Sequence, residues 1–219
     1  MNVSFFTWFS YQGNMLKPPR KLWILFLLIS LSVVLLMTAG VSWLKHRTLP
    51  TLSSRLGGDF TLMGRDGLWN LKSQRGRPVI LYFGFTQCPD ICPTALHTLS
   101  QILKSIEIEK ERNHYTVVFV SIDPEQDSPS KAQEYLEAFL TSTPTRHLYG
   151  LTGTIEELRE VSKQYGAHFL REKSERTSIG YTMQHTSRFF LIDERGTLVA
   201  APSTEGPREK LVESFRKIF

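Results

Sequence analysis

Cysteine is scarce in this chain, with 2 in 219 residues. That excludes a disulfide-dense mini-protein, which needs staples because its core is small. Acidic residues are missing from the N-terminal quarter, the first of the 21 being Asp59. Proline is missing from Thr145 to Ala201. There is no internal repeat, no low-complexity tract, and no collagen or coiled-coil composition. No basic stripe interleaves with aromatics, so the net charge of +5 is no argument for nucleic acid. What is present is apolar: 41% of the residues, with 14 Phe and 4 Trp, too much for a disordered chain. The length suits one domain of about 150 residues plus an addition.

The addition is N-terminal. Leu22 to Leu44 is a run of 23 residues without a formal charge. A helix of that length reaches about 34 Å, enough for a ~30 Å hydrocarbon core. Lys17, Arg20 and Lys21 precede the run, leaving 23 basic and 21 acidic residues after it. Lys45 and Arg47 follow it. The small positive excess on the N-terminal flank predicts a cytoplasmic N-terminus and an exported C-terminal part. A cleaved signal peptide fits less well, because the run is long for an h-region and Met37-Thr38-Ala39-Gly40 is a poor cleavage site. The arm before the run has one Arg and no transit-peptide character. The expectation is a single-pass protein of a bacterial inner membrane: arm 1–21, anchor 22–44, linker 45–57, and a domain 58–219 facing the periplasm.

Within the domain, Phe60–Met63 and Leu68–Leu71 flank a turn at Arg65-Asp66-Gly67, predicting a hairpin. Pro78–Phe85 and Val117–Ile122 are continuous apolar runs, the pattern of strands buried on both faces. Ala95, Leu96, Leu99, Ile102, Leu103 and Ile106 recur at helical spacing, and Pro93 is predicted to open that helix. Ser128-Pro129 supplies an N-cap and an N1 proline for a second helix. Thr154 with Glu157 forms a capping box for a third, which Gly166 ends. Arg188–Ile192 and Leu198–Ala201 predict a closing hairpin, followed by a helix over Arg208–Phe219. The alternation of strand and helix implies an α/β fold, a central mixed sheet flanked by helices with at least one parallel pair. A hairpin and helix after a βαβ unit point to a thioredoxin-like fold.

The chemistry lies in Tyr82-Phe-Gly-Phe-Thr-Gln-Cys88-Pro-Asp-Ile-Cys92-Pro. The two cysteines sit at C-x-x-x-C spacing where a buried strand gives way to a helix, the end of a strand that favours reactive groups. Three intervening residues let the sulfurs form a disulfide or share one metal ion. The helix N-terminus favours thiolates, the form that binds metal or attacks disulfides. As a mere staple the pair would be poor. A closed loop of about five residues yields only ~2 kcal/mol of chain entropy, against ~3 for fifteen.

Two thiolates need a further ligand, and histidine is the natural one. His46 flanks the apolar run. His97 lies on the first helix of the domain, among its polar positions. His114 and His147 fall in polar loops. His168 precedes Phe169 in a short strand. His185 lies just before the Arg188 strand, and in a thioredoxin-like fold that entry abuts the cysteine loop, so position favours it. Two thiolates and an imidazole form a soft set that suits copper, or zinc with a fourth ligand. With no further Cys in the chain, copper fits better.

Three segments in this order, Tyr82–Pro93, Val120–Pro129 with Asp123, and Tyr181–Asp193 with His185, resemble the Sco/SenC family. The resemblance covers roughly residues 58–219, and the apolar anchor agrees with it. It implies a membrane-anchored, thioredoxin-like copper protein with Cys88, Cys92 and His185 as ligands of Cu(I) or Cu(II). It also implies a partner. The family delivers copper to, or prepares the cysteines of, the dinuclear copper centre of cytochrome c oxidase; other copper or thiol-redox proteins are further candidates. Asp123 would support the site, and an Asp-Pro turn that caps the next segment is the plainer role for it. The position before the first Cys, often His in that family, is Gln87 here. It is not an implied ligand, so the difference bears on partner choice or redox tuning.

The alternative is a membrane-anchored thiol–disulfide oxidoreductase acting on partner cysteines. Against it as sole function stand the C-x-x-x-C rather than C-x-x-C spacing and the missing proline before the Arg188 strand. No peroxidase motif surrounds Cys88.

Overall fold

The computed structural model describes residues 20–46, 56–110, 114–141, 143, 147–175, 177 and 179–218. The chain divides into two units, Met1–Leu49 and Pro50–Phe219, so the division falls inside the expected linker.

In the first unit, α1 spans Arg20–His46. Its described apolar side chains, Ile24 to Met37, are 46–72% exposed. Its side chains are described without a break only from Leu28 to Thr38. Among the described residues, no helix is long and apolar enough to cross a membrane. The expected arm 1–21 and linker 45–57 lie largely outside the described residues.

The second unit is built on a seven-stranded sheet. Its strands are β1 (Thr61–Gly64), β2 (Gly67–Asn70), β3 (Val79–Gly84), β4 (Thr116–Ser121), β5 (Leu148–Thr152), β8 (Phe189–Ile192) and β9 (Leu198–Ala200), in the order β2-β1-β5-β4-β3-β8-β9. The centre is parallel, β5 on β4 and β4 on β3. Antiparallel pairs close both edges. Every residue of β3, β4 and β8 is buried, the outcome their unbroken apolar runs imply. Each Leu, Ile or Phe so buried contributes about 1.5–3 kcal/mol.

The helices are α2 (Ile91–Lys110), α3 (Pro129–Leu140), α4 (Ile155–Gln164) and α5 (Arg208–Arg216). Tyr82 of β3 pairs across with Phe119 and Phe189, so these rings share one face of the sheet. Tyr135 of α3 packs on Phe119 and Phe215 of α5 on Phe189, which places both helices on that face. Tyr165, the C-cap of α4, packs on Phe83 and Phe190 of the other face. Ser128 caps α3 through Lys131 N, and the Thr154/Glu157 box caps α4; each such cap contributes about 1 kcal/mol.

Four local expectations need correction. First, α2 begins at Ile91, so Cys92 stands in its first turn and Pro93 does not open it. Proline in a first turn removes an N–H that would have no intrahelical partner, so the helix extends back over it at little cost. Second, β5 was not expected. Its midpoint, Gly150, weakens the strand pattern, yet a Cβ there would lie 2.1 Å from Gln133 N. Glycine is what lets α3 lie against β5. Gln133 then accepts from Gly150 N at 2.6 Å and donates to Leu148 O at 2.9 Å. That serves the half of β5 that β1, paired only with Leu151 and Thr152, does not reach. Third, the short strand expected at Phe169 is there (β6, Phe169–Lys173), but it pairs with a strand that was expected as a loop, Tyr181–His185 (β7), in a separate two-stranded antiparallel ribbon. Fourth, the strand expected over Arg188–Ile192 starts at Phe189, with Arg188 only bridging Ser203.

Candidate metal centre

Cys88 follows β3, four residues past its last position, Gly84; Cys92 is fully buried in the first turn of α2. Both are free thiols. The Cys92 N–H donates to Cys88 Sγ at 3.4 Å, so the start of the helix holds the first sulfur with its own unpaired amide. Gly84 makes room for the second. A Cβ at that position would lie 3.0 Å from Cys92 Sγ and 2.9 Å from the Phe119 ring.

His185 is the last residue of β7, on a strand and not in a loop entering one. Cys92 Sγ lies 3.4 Å from His185 Nε2. On the other side of the ring, Nδ1 lies 3.4 Å from Thr186 O. A carbonyl only accepts, so that contact places the proton on Nδ1 and leaves the Nε2 lone pair facing the sulfur. Tyr82 and Phe85 meet the imidazole edge-on, each with ring centroids 6.1 Å away. The donor atoms of Cys88, Cys92 and His185 all lie within 4.8 Å of one another, the one such group among the described residues. Cys88 and His185 are half-buried and open on a cleft of about 380 Å³ that Pro89, Asp90, Ile91 and Thr182 also line.

The two sulfurs differ electrostatically. The Cys92 thiol donates to Cys88 and, with the backbone amides of Cys92 and Asp90, holds the Cys88 thiol down to about 4 against the cost of burial. Cys92 is pushed up by the same pairing and by its own burial. In the metal-free protein the pair thus shares one proton, held on the buried sulfur.

The four other histidines of this unit stand apart from this group. His97 is exposed and contacts Gln101 at 2.9 Å. His114 lies 3.3 Å from Arg77 Nε. His168 is exposed, at the ribbon edge, with its N–H on Thr186 Oγ1. His147 precedes β5, and His46 ends α1.

Asp123 does not touch the sulfurs. It is 1% exposed at the end of β4 and accepts from the Tyr181 hydroxyl at 3.0 and 2.8 Å. Arg171 approaches it at 3.6 Å and lies over the Tyr181 ring. Burial pushes its carboxyl up. Asp123 therefore ties the ribbon that carries His185 to the central sheet, while its carbonyl accepts from Gln126 and Asp127 in the turn. Asp127 is the residue the sequence reading passed over. Also 1% exposed, its carboxylate accepts from Thr86 N (2.8 Å), Thr86 Oγ1 (2.5 Å) and Ser121 Oγ (2.6 Å), and pairs with Lys131 at 3.2 Å. It anchors the loop that leads into Cys88. No local signal marks it, since an acid directly before Ser128-Pro129 reads as an ordinary turn residue.

Known proteins share this fold. Residues 49–219 match SCO1/SenC. A SCO2-like protein of Rickettsia conorii is 30% identical over 163 residues, 74% of this chain and 76% of that protein. The crystal structure of Arabidopsis thaliana ScoI with copper bound superposes with a TM-score of 0.65 at 31% identity, covering 74% of this chain and 96% of that one. Yeast Sco1 with copper bound gives 0.62 at 31%, covering 74% and 87%. The thioredoxin-like domain with its Cys88/Cys92/His185 cluster makes this chain a member of the SCO1/SenC family.

Proposed function

We propose that this protein is a copper metallochaperone that carries one copper ion on Cys88, Cys92 and His185, for delivery to the dinuclear copper centre of cytochrome c oxidase. The convergence of those three donors within 4.8 Å carries the reading. Two thiolates and a neutral imidazole are a soft set suited to Cu(I) and Cu(II). Copper here is cargo. The half-buried Cys88 and His185 give a recipient's ligands access from the cleft, and ligand exchange there needs no opening of the core. Asp123 supports the site through the ribbon. The recipient subunit is the one that the family resemblance implies.

The 23 uncharged residues Leu22–Leu44 and the exposed apolar surface of α1 support a single membrane span. With the basic N-terminal flank, the reading is an arm 1–21, an anchor 22–44, a linker 45–57 and a periplasmic domain 58–219 on a bacterial inner membrane.

A second reading rests on the asymmetry of the sulfurs. A half-exposed Cys88 thiolate beside a buried Cys92 thiol is the arrangement of an attacking and a resolving cysteine. Cys88 would attack a partner disulfide and release one partner thiolate. Cys92, losing its proton, would then displace the partner's second sulfur and leave a Cys88–Cys92 disulfide and a reduced partner. Disulfide and copper exclude each other on the same sulfurs, so oxidation gates loading.

Copper titration of the reduced full-length protein in detergent, wild type beside His185→Ala, tests the first reading. The expected outcome is one retained copper in wild type, with thiolate-to-Cu(II) absorption. In the variant, affinity falls by more than the roughly 10–100-fold that loss of an outer-shell partner costs a metal site. No retained copper in either protein, with reductase activity indifferent to His185→Ala, would sink it in favour of the second.

A further inference from the structure

Tyr82 carries a buried hydroxyl that the metal-free fold leaves without a hydrogen-bond partner. Buried polar groups without partners are rare and call for a reason. The ring itself is fully packed, between Phe119 and Phe189, and apolar contact would be served as well by phenylalanine. After burial itself, Cys92 is the neighbour that acts most strongly on the hydroxyl, ahead of Cys88 and Tyr135. The geometry of β3 explains the approach. Tyr82 and Gly84 lie on the same face of the strand, and a Cβ on Gly84 would stand 3.0 Å from Cys92 Sγ and 3.1 Å from the Tyr82 ring. The missing side chain leaves sulfur and phenol facing each other. The same ring meets the His185 imidazole edge-on. Tyr82 thus borders two members of the cluster from below, on the side away from the cleft.

We propose that Tyr82 is a positioning residue for the copper centre, its O–H donating to the Cys92 sulfur once that sulfur is a metal-bound thiolate. This rests on the copper reading given above. In the metal-free protein the phenol is unpaired, and a neutral thiol sulfur is in any case a weak acceptor. A metal-ligating cysteine is a thiolate, a charged acceptor, and hydrogen bonds to charged acceptors are the strong ones. The phenol is therefore a donor held in reserve for the loaded state. It stabilises electron density on the sulfur from a side that no partner protein reaches. Partners such as these tune ligand basicity and affinity in metal sites generally.

The test is Tyr82→Phe in the full-length protein, with Tyr135→Phe as control, since Tyr135 has another buried unpaired hydroxyl but sits over Phe119 on α3. Three quantities are read: metal-free melting temperature, copper affinity by competition, and the thiolate-to-Cu(II) band. Metal-free Tyr82→Phe should melt no lower than wild type, because no formed hydrogen bond is lost. Its copper affinity should fall roughly 10- to 100-fold. Its band should move to longer wavelength, because the sulfur electrons are no longer held down by the phenol. Tyr135→Phe should leave affinity and band where wild type has them. Wild type and Tyr82→Phe with the same affinity and superimposable bands would overturn the hydrogen bond while leaving the copper reading intact. An equal band shift in Tyr135→Phe would also overturn it, as general loosening of the core. Wild type that retains no copper would overturn both readings together.

Discussion

Cys92 Sγ and His185 Nε2 stand 3.4 Å apart although 93 positions separate them in the chain. One belongs to the first turn of α2 and the other to the end of β7, and nothing local joins the two. Three supports bring them together: Gly84 beneath the sulfur, Asp127 behind the cysteine loop, and Asp123 holding the ribbon.

Gly84→Ala tests the first. The added methyl would sit 2.9 Å from the Phe119 ring and 3.0 Å from Cys92 Sγ, and overpacking of a tight core costs about 1–3 kcal/mol. Equilibrium unfolding in urea should show that loss, and copper affinity should drop with it. Unchanged stability and affinity would mean that the sulfur has room to move.

Asp127→Ala removes the acceptor of two buried bonds from Thr86 and one from Ser121. Leaving buried donors unsatisfied costs about 1–3 kcal/mol each before relaxation, so a loss of about 2–4 kcal/mol is expected. Hydrogen exchange at the Thr86 amide should accelerate more than that of β4. If exchange rises evenly across the domain, the acid is a general core element and not a loop anchor.

Cys88 should react as a thiolate in acid. Its thiol is held down to about 4, mainly by the Cys92 thiol that donates to it. Deprotonation is complete above that value, so alkylation of the reduced, metal-free protein should be nearly constant from about pH 6 to 8 and fall away toward pH 4. An ordinary thiol, with a pKa of about 8.5, would instead gain roughly tenfold per unit over that range. Mass mapping should find the label on Cys88, since Cys92 is buried and keeps its proton. A rate still climbing steeply at pH 8 would contradict the shared-proton arrangement.

Asp123→Ala, Tyr181→Phe and the double variant form a mutant cycle on the latch. Direct contact at 2.8 Å predicts a coupling of about 0.5–3 kcal/mol. Copper affinity should follow the same coupling, because the latch acts on His185 through β7. Additive effects on both stability and affinity would show that the ribbon is held by other contacts, Met183 foremost.

Much of the architecture is written in local pattern. The unbroken apolar runs of β3 and β4 declare strands buried on both faces, and Ser128-Pro129 and Thr154/Glu157 mark two helix starts. In each case the physics lies within a few residues: side-chain period, cap geometry, proline's fixed φ. The C-x-x-x-C spacing likewise brings two sulfurs close, whatever the rest of the chain does.

Other features have no local signature. β5 is a strand because Gln133 and Gly150 meet, and Gly150 by itself argues against one. Cys92 is helical despite Pro93 because the first turn needs no proline N–H. The β6–β7 ribbon forms from a polar run, Phe169–Lys173, whose pairing with Tyr181–His185 becomes favourable only when Asp123 and Arg171 close around Tyr181. Sequence alone determined most of the elements, the adjacent sulfurs and the chemistry they can do. Position and resemblance already pointed to His185; tertiary structure alone decided how close it comes to the sulfurs, which sulfur keeps the proton and which buried groups stand behind the site. Those depend on distances between residues tens of positions apart, and folding sets such distances through packing that no short window of sequence contains.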